Sequence, residues 1–332
     1  MKKVVTVLIL SFFLILAGCS GSGGKNPSTG TGFSLNSYQG GNLAIKAEFA
    51  QGAPPEKIRD QGKFPFSVRV MLENVGEYDI DENSAYVALA GTDARVLGLS
   101  ESSKIIPAIR GVKLISGDVR SGGKQQVTFS NMKYTENLGA GSLNVPLYAY
   151  ICYPYKTLAQ SSLCLSGDTY QLYDEDVTIC DLESKRESIS SGSPISIENV
   201  EQRAASDNSI EFQFDIVHKP TTNLGRLFKS NSISQGCLIH GNSPTSSEAE
   251  TQEDYVYFDV STGVNLPLTC TKELEGVSAS SGYVKLYDGG RVTVYCTQET
   301  TKLEEQQKLV KIELSYDYLE RISTSLLVEH VN

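Results

Sequence analysis

The alternation that determines the fold class is clearest between Val145 and Leu165, which read VPLYAYICYPYKTLAQSSLCL. Apolar side chains occupy every second position at its start, at Val145, Leu147, Ala149 and Ile151. A period of two is typical of a β-strand with one buried face. Similar alternation runs through residues 43–49 and 64–72, with clusters of Gly, Pro and Asn between the strands and no long amphipathic helix. We therefore predict an all-β chain.

The same pattern returns at the end of the chain, where residues 308–328 read KLVKIELSYDYLERISTSLLV. A shift of 163 positions places Tyr153 on Tyr316 and Tyr155 on Tyr318. Chance similarity between amphipathic strands is the alternative, but the shared Tyr-x-Tyr favours a duplication. We interpret each segment as a strand, a five-residue connection and a second strand, and predict two tandem immunoglobulin-like antiparallel β-sandwiches.

A polar, apolar-poor segment at residues 183–194 separates the two predicted sandwiches, and alternation restarts at Ile195. We place the first sandwich at 33–182, the linker at 183–194 and the second sandwich at 195–332. The short segment Thr301 to Glu304 resembles a capping box and predicts one short helix from Lys302 to about Lys308.

The chain begins with Lys2 and Lys3, an apolar run and the sequence Leu16-Ala17-Gly18-Cys19. This resembles a bacterial-type lipoprotein signal peptide ending in a lipobox. The resemblance implies removal of residues 1–18, lipidation of Cys19 and an extracytoplasmic protein held to the cell membrane or envelope by lipid. An uncleaved membrane anchor, or an ordinary secretory signal with a chance Cys, is the alternative. Residues 19–32 are rich in Gly and Ser, which predicts a flexible tether.

Charge excludes one class of partner. Removing Lys2 and Lys3 with the signal peptide would leave 27 basic and 39 acidic residues, a net charge of −12. Nucleic acid demands a basic face, so we predict no nucleic-acid partner. The acidic surface is typical of a solvated, exposed domain.

Six cysteines remain besides Cys19, and an even number in an exported chain indicates three disulfides. If Ile151 faces Leu165 in a hairpin, Cys152 faces Cys164 at bridging distance. Between Tyr283 and Cys296, a three-residue loop pairs Leu286 with Val292 and Val284 with Val294, which places Cys296 on the inward face. Cys270 shares a face with Leu266 and Leu268, so we predict a core bridge Cys270–Cys296. Elimination pairs Cys180 with Cys237.

We find no catalytic set, and we predict a non-enzymatic protein without a cofactor or metal site. His218, His240 and His330 lack neighbours at metal-ligand spacing and are interpreted as strand-end or loop residues. The acidic loop Glu77–Asn83 has oxygen ligands that suit calcium, although a solvated turn is the favoured interpretation. Four tyrosines could form an exposed ladder for glycan or protein contact, but cross-strand packing explains them as well: Tyr148, Tyr150, Tyr153 and Tyr155.

Residues 64–80 read FPFSVRVMLENVGEYDI and resemble CARDB-like immunoglobulin-type domains of prokaryotic surface proteins, which carry an alternating strand ending in an Asn-x-Gly turn, here Asn74-Val75-Gly76. Residues 195–220 match more loosely, because His218-Lys219-Pro220 departs from that turn. The layout of a lipobox followed by two such domains is similar to archaeal surface lipoproteins. The resemblance implies no shared activity.

These features together favour a lipid-anchored surface protein that acts in adhesion, envelope structure or assembly with another surface protein. Its predicted partners are the membrane, through Cys19, and an unknown surface protein or glycan. The alternative is a ligand- or glycan-binding lipoprotein that serves a membrane complex.

Overall fold

A computed structural model describes residues 38–169, 180, 185–220, 225–232, 251–270, 275–288 and 290–331. Within these ranges the chain forms β-strands, turns and loops and no helix, so the predicted all-β fold of antiparallel sheets is confirmed. The predicted helix after Lys302 is wrong: Lys302 adopts a left-handed turn conformation, and a strand begins at Gln306. No helix in the described part of the chain is long and apolar enough to cross a membrane.

The first nine strands run as far as Leu165. They are β1 (Ile45–Phe49), β2 (Lys57–Arg59), β3 (Phe66–Asn74), β4 (Ala85–Ala90), β5 (Ser103–Ile106), β6 (Lys113–Ile115), β7 (Asp118–Arg120), β8 (Lys124–Met132) and β9 (Ser142–Leu165).

Eleven more strands follow. They are β10 (Lys185–Arg186), β11 (Ser188–Ser190), β12 (Ile195–Ser206), β13 (Ser209–His218), β14 (Arg226–Phe228), β15 (Tyr255–Ser261), β16 (Leu268–Cys270), β17 (Glu275–Ser278), β18 (Ser281–Lys285), β19 (Arg291–Glu299) and β20 (Gln306–Glu329).

The strands form one large sheet and three smaller ones. The large sheet has the path β17-β18-β15-β20-β9-β4-β5, with β11 beside β9 and with β2 and β14 beside β20. A three-stranded sheet, β1-β3-β8, and a five-stranded sheet, β10-β12-β13-β19-β16, are separate from it. Strands β6 and β7 form a two-stranded hairpin of their own.

The two longest strands, β9 and β20, are the segments that the sequence repeat singled out. Each has 24 residues, and they pair antiparallel along their whole length. We call this pair of strands the ribbon; it is roughly 80 Å long at ~3.3 Å per residue. Tyr153 lies opposite Tyr318 and Tyr155 opposite Tyr316. Pro154 lies opposite Asp317, and these two residues also correspond under the 163-residue shift, so an approximate two-fold axis passes between them.

This ribbon replaces the two predicted hairpins. The expected five-residue connections are wrong, because β9 and β20 each continue as a single strand through the residues where a connection was predicted. The first half of β9 pairs with β4, and the second half of β20 pairs with β2. At the other end, the second half of β9 pairs with β11 and the first half of β20 with β15. The ribbon therefore contributes strands to both ends of the large sheet.

The inward-facing side chains of the sheets form one common hydrophobic core. Val68, Val70 and Leu72 of β3 and Phe212, Phe214 and Ile216 of β13 are almost fully buried, as the period of two predicts. They belong to a single hydrophobic cluster that also includes the inward residues of β9 and β20. All residues described here belong to one compact unit.

Two of the three predicted disulfide pairings are wrong. Cys164 is bonded to Cys180, with Cα atoms 5.7 Å apart, so neither Cys152–Cys164 nor Cys180–Cys237 forms. The hairpin that would have opposed Cys152 to Cys164 does not exist, because both lie on the single strand β9. The structure pairs Cys270 with Cys296 across β16 and β19, as predicted. Cys152 is also disulfide-bonded.

The predicted hairpin between Tyr283 and Cys296 is correct only at its turn. Tyr287 and Arg291 form a bridge in the expected register, but the strands then diverge, β18 into the large sheet and β19 into the five-stranded sheet. Within the predicted linker, residues 185–186 and 188–190 form the short strands β10 and β11. The domain boundaries at 182 and 195 stay predictions.

Candidate functional site

The middle of the ribbon carries a buried cluster of four tyrosines, one pair on each long strand: Tyr153, Tyr155, Tyr316 and Tyr318. Neighbouring rings have centroids 5.8 to 6.4 Å apart in tilted or edge-on arrangements. Such contacts add to the stabilisation from burial itself. Burial raises the pKa of each of these phenols, so all four remain neutral hydroxyls.

Two glycines at this level leave room for a tyrosine hydroxyl that packs against them. A Cβ on Gly76 would lie 2.1 Å from the Tyr155 hydroxyl, and a Cβ on Gly225 would lie 2.1 Å from the Tyr318 hydroxyl. Tyr155 and Tyr318 correspond under the 163-residue shift, so the same close contact occurs on both sides of the two-fold axis.

The tyrosine hydroxyls reach polar partners. Tyr155 accepts a hydrogen bond from the Tyr78 backbone N–H at 3.1 Å and donates one to the Gly192 carbonyl at 3.3 Å. The Tyr318 hydroxyl lies 3.1 Å from Nε2 of His218 at the end of β13. His218 is thus a strand-end residue, as predicted, and it contacts a phenol.

Glu320 is a partly buried titratable group in this network. Its Oε1 accepts a hydrogen bond of 2.9 Å from the Tyr153 hydroxyl. Burial raises the pKa of the Glu320 carboxyl to about 8, against a smaller opposing effect of that hydrogen bond. The pair is held by the register of the ribbon, since Glu320 lies opposite Ile151, two residues from Tyr153.

Glu77 connects its own loop to residues 39–40 and to Gly192 by hydrogen bonds beside the ribbon. Its carboxylate accepts hydrogen bonds from the backbone N–H groups of Gln39, Gly40 and Gly192, at 3.0, 3.1 and 2.7 Å. Gln39 and Gly40 are therefore fixed next to the middle of β9. Asn74 shapes the loop that carries Glu77, because its side chain donates to the Tyr78 and Ile109 carbonyls and accepts from the Gly76 N–H.

The acidic loop Glu77–Asn83 uses two of its carboxylates internally. Besides Glu77, Asp79 accepts hydrogen bonds from the Gly111 N–H at 2.7 Å and forms an ion pair with Lys113 at 2.9 Å. Burial of Asp79 raises its pKa, but these hydrogen bonds outweigh that effect and the pKa is lowered. The Glu77 and Asp79 carboxylates thus stabilise the Glu77–Asn83 loop through contacts within the protein, in line with its interpretation as a turn.

A cleft of 320 Å³ opens at this junction, and we call it the waist cleft. Its lining comes from the start of the described chain, the Glu77 loop, the β6–β7 hairpin, β9 and the residue after β11: Tyr38, Glu77, Tyr78, Val112, Lys113, Leu114, Ile115, Leu158 and Ser191. The volume is at the lower end of the range for small-molecule sites. Ile115 is 43% exposed at the rim, and Ser191 is buried.

The charges at the waist cleft are compensated from within the protein. The Lys113 ammonium is paired with Asp79, and the Glu77 carboxylate is occupied by three N–H groups. Burial of Tyr38 and the negative charge of Glu77 raise the pKa of the Tyr38 phenol, which also shares a hydrogen bond with Gln160. The cleft is therefore lined by aromatic and aliphatic surface, hydroxyl groups, one ion-paired ammonium and one carboxylate that accepts backbone N–H groups.

A second polar cluster lies at the far end of β20. Asp60, fully buried, accepts hydrogen bonds from the backbone N–H groups of Leu138 and Val331 at 3.0 and 2.9 Å, and its Oδ2 lies 2.7 Å from Nδ1 of His330. Burial raises the pKa of Asp60, but these hydrogen bonds outweigh it and lower the pKa to about 2. Because these contacts hold the end of the chain against residues 60 and 138, we call the cluster the C-terminal clasp.

The residues singled out in the sequence do not come together in one site among the described residues. Cys19, Cys237 and His240 lie outside the described residues. Among those described, Cys164, Cys180 and Glu305 lie close enough together to suggest a metal site, but both sulfurs are in a disulfide. The four tyrosines considered for an exposed ladder are divided between two faces: Tyr153 and Tyr155 are buried in the core, as the favoured cross-strand packing predicts, whereas Tyr148 and Tyr150 face the other way beside Arg321.

Sequence reasoning missed the waist cleft and the C-terminal clasp. Tyr38 and Leu158 are 120 positions apart, and Asp60 and His330 are 270 positions apart, so no local pattern joins them. One signal was available for the ribbon: Lys156 to Gln160 reads KTLAQ, with none of the residues that favour turns.

Comparison with known proteins adds little. No family model matches the chain, and no curated protein matches it. Among solved structures it is similar to a partial N-terminal region of an enterococcal surface protein, at 9% identity over 83% of this chain and 88% of that one, with a TM-score of 0.17. A TM-score this low carries no argument about fold or function. The resemblance to CARDB-like domains stays a prediction.

Proposed function

We propose that this protein is a lipid-anchored, non-enzymatic protein of the cell surface that serves adhesion, envelope structure or assembly with another surface protein. The observation that carries the proposal is the fixing of Gln39 and Gly40 by Glu77 beside the middle of the ribbon. A chain anchored at Cys19 would then hold a rigid β-scaffold by a point that is itself part of the folded structure.

Two further features support this proposal. Disulfides form and persist in oxidising compartments, and Cys152, Cys164, Cys180, Cys270 and Cys296 are all disulfide-bonded. The titratable groups at the centre are engaged in packing contacts: Glu320 with Tyr153, Glu77 with backbone N–H groups and His218 with Tyr318. These are the contacts of a structural network.

The anchoring is tested by fractionation of cells that express the full-length chain or its Cys19→Ala variant, with Ser20→Ala as the matched control. We expect the unaltered chain and Ser20→Ala in the membrane fraction, both labelled by a radioactive fatty acid. Cys19→Ala should lose the label and leave the membrane. Retention of Cys19→Ala in the membrane fraction would contradict lipid anchoring.

The scaffold role is tested by cross-linking on intact cells, followed by purification of the full-length protein and identification of the attached proteins. A recurrent surface protein, cross-linked to the unaltered chain and absent when Cys19→Ala is used, is the expected result. If only cytoplasmic proteins are recovered, the proposed location and role are both wrong.

A further inference from the structure

We propose that the waist cleft binds a neutral saccharide, with the Tyr38 and Tyr78 rings contacting the apolar face of a sugar ring. This goes beyond the surface role proposed above, because a scaffold needs no ligand. The inference depends on three properties of the cleft: its charge balance, its aromatic walls and its position.

Charge balance selects a neutral ligand. A carboxylate or phosphate would need an uncompensated cation, but the Lys113 ammonium lies 2.9 Å from Asp79, and Lys156 nearby on β9 is paired with Glu313. A cationic ligand would have to compete with the three backbone N–H groups that already donate to the Glu77 carboxylate. A charged ligand would have to compete with these existing contacts, although the two ion pairs are about half exposed and each contributes little to stability by itself.

The walls select a ligand that is apolar on one face and hydroxylated at its edges. Tyr38 and Tyr78 offer aromatic surface, and Val112, Leu114 and Leu158 offer aliphatic surface. The Tyr78 ring is held edge-on against Tyr155, with centroids 5.5 Å apart, so it is oriented before any ligand arrives. Pre-organised aromatic side chains bind at a low entropic cost.

Hydroxyl groups are available for the edges of a sugar. The buried Ser191 Oγ accepts a hydrogen bond from the Leu158 N–H at 3.0 Å, which leaves its own hydrogen to donate. The raised pKa of Tyr38 keeps that phenol protonated, so it can donate as well. Donors beside aromatic rings match a sugar better than an alkyl chain, which offers no acceptor for the hydroxyl hydrogens of Ser191 and Tyr38.

The test measures binding to the full-length protein in detergent by calorimetry, with three probes: cellotriose as a neutral saccharide, a hyaluronan tetrasaccharide as an acidic one and a short-chain alkyl glycerol. The variants are Tyr38→Ala and Tyr38→Phe, with Tyr287→Ala as the control, because Tyr287 is 72% exposed and lies outside the cleft. We expect cellotriose to bind, with ~10-fold weaker affinity for Tyr38→Ala and unchanged affinity for Tyr287→Ala.

Tyr38→Phe should retain most of the affinity, since it keeps the ring and loses only the hydroxyl. The proposal is overturned if the acidic or alkyl probe binds and cellotriose does not, if no probe binds, or if Tyr38→Ala binds cellotriose as well as the unaltered chain does. Thermal unfolding of each variant identifies a folding defect, and in that case Ile115→Glu at the exposed rim replaces Tyr38→Ala in the comparison. None of these outcomes affects the fractionation test of anchoring.

Discussion

At the scale of single residues, Gly76 determines how closely the loop after β3 approaches the ribbon. A Cβ at this position would lie 2.1 Å from the Tyr155 hydroxyl and 2.5 Å from the Gly192 carbonyl oxygen, so the backbone would have to move. The same hydroxyl accepts the Tyr78 N–H, and that bond would be disturbed too.

We expect Gly76→Ala to lower the free energy of unfolding by about 1–3 kcal/mol, the usual range for an overpacked core. Urea denaturation measures the change. Gly290→Ala is the matched control, because a Cβ there would meet its nearest atom, the Tyr287 carbonyl oxygen, at an ordinary 3.6 Å. Equal midpoints for the two variants would contradict the close contact.

Glu320 makes stability depend on pH in a predictable direction. Its pKa in the folded protein is raised to about 8, above the ordinary value of about 4.5, so the folded state binds the proton more tightly than the unfolded state. The contribution of the protonated Glu320 carboxyl to the free energy of unfolding is therefore fully present below about pH 4.5 and is lost as the pH rises through 8.

We expect Glu320→Gln to remove this dependence, because the amide stays neutral at every pH. The free energy of unfolding of the variant, relative to the unaltered chain, should rise by about 2 kcal/mol between ~pH 5 and ~pH 9, after discounting the shift for partial exposure. Urea titrations at each pH measure it, with the exposed Glu304→Gln as control. A constant difference would show that the carboxyl is not buried as described.

At the scale of elements, the C-terminal clasp holds the far end of β20 in place. Lys57 and Arg59 of β2 form ion pairs with Glu329, and Asp60 holds the two residues that follow β20. These exposed ion pairs contribute little by themselves. The buried Asp60 carboxylate is the central contact, since it accepts from three donors.

We expect Asp60→Asn to lower the melting temperature at pH 7, because one carboxylate oxygen becomes an N–H₂ group that faces a donor. Since the pKa of Asp60 is depressed to about 2 in the folded state, its contribution is present above about pH 4 and is lost as the pH falls towards 2. The difference in melting temperature between Asp60→Asn and the unaltered chain should therefore become smaller as the pH is lowered towards 2. The exposed Asp118→Asn serves as control, and an unchanged melting temperature at pH 7 would argue against the clasp.

Sequence reasoning works for these elements wherever the cause is local. The period of two identified β3 and the start of β9, with the correct buried face, and the shared face of Cys270 and Cys296 gave the correct bridge. It failed where the cause is distant. The Tyr-x-Tyr repeat was recognised, but two related strands that pair with each other cannot be distinguished locally from two separate hairpins. The error at Cys152 and Cys164 follows from that ambiguity.

At the scale of the whole molecule, the ribbon couples parts that would be independent in a tandem arrangement. The last residues of β20 lie beside β2, while residues 311–315, in the first half of the same strand, lie beside β15. Unfolding either end of the large sheet removes a strand from the other end. Cooperative unfolding follows from this shared strand.

We expect calorimetry to show one transition, with equal calorimetric and van't Hoff enthalpies. Val68→Ala in the three-stranded sheet and Val294→Ala in the five-stranded sheet are a matched pair, both fully buried, and each should lower that one transition. Two transitions, with each variant shifting a different one, would instead favour independent sandwiches divided near residues 182 and 195.

The attachment of Gln39 and Gly40 near the centre of the ribbon has a mechanical consequence. A pull on an anchored chain would enter the fold at its midpoint, where Glu77 joins the N-terminal stretch to Gly192. Such a load would act on several hydrogen bonds of this junction at once, whereas a load on an edge strand would open the sheet one hydrogen bond at a time. The fold would then resist a pull at this point better than a pull on an edge strand.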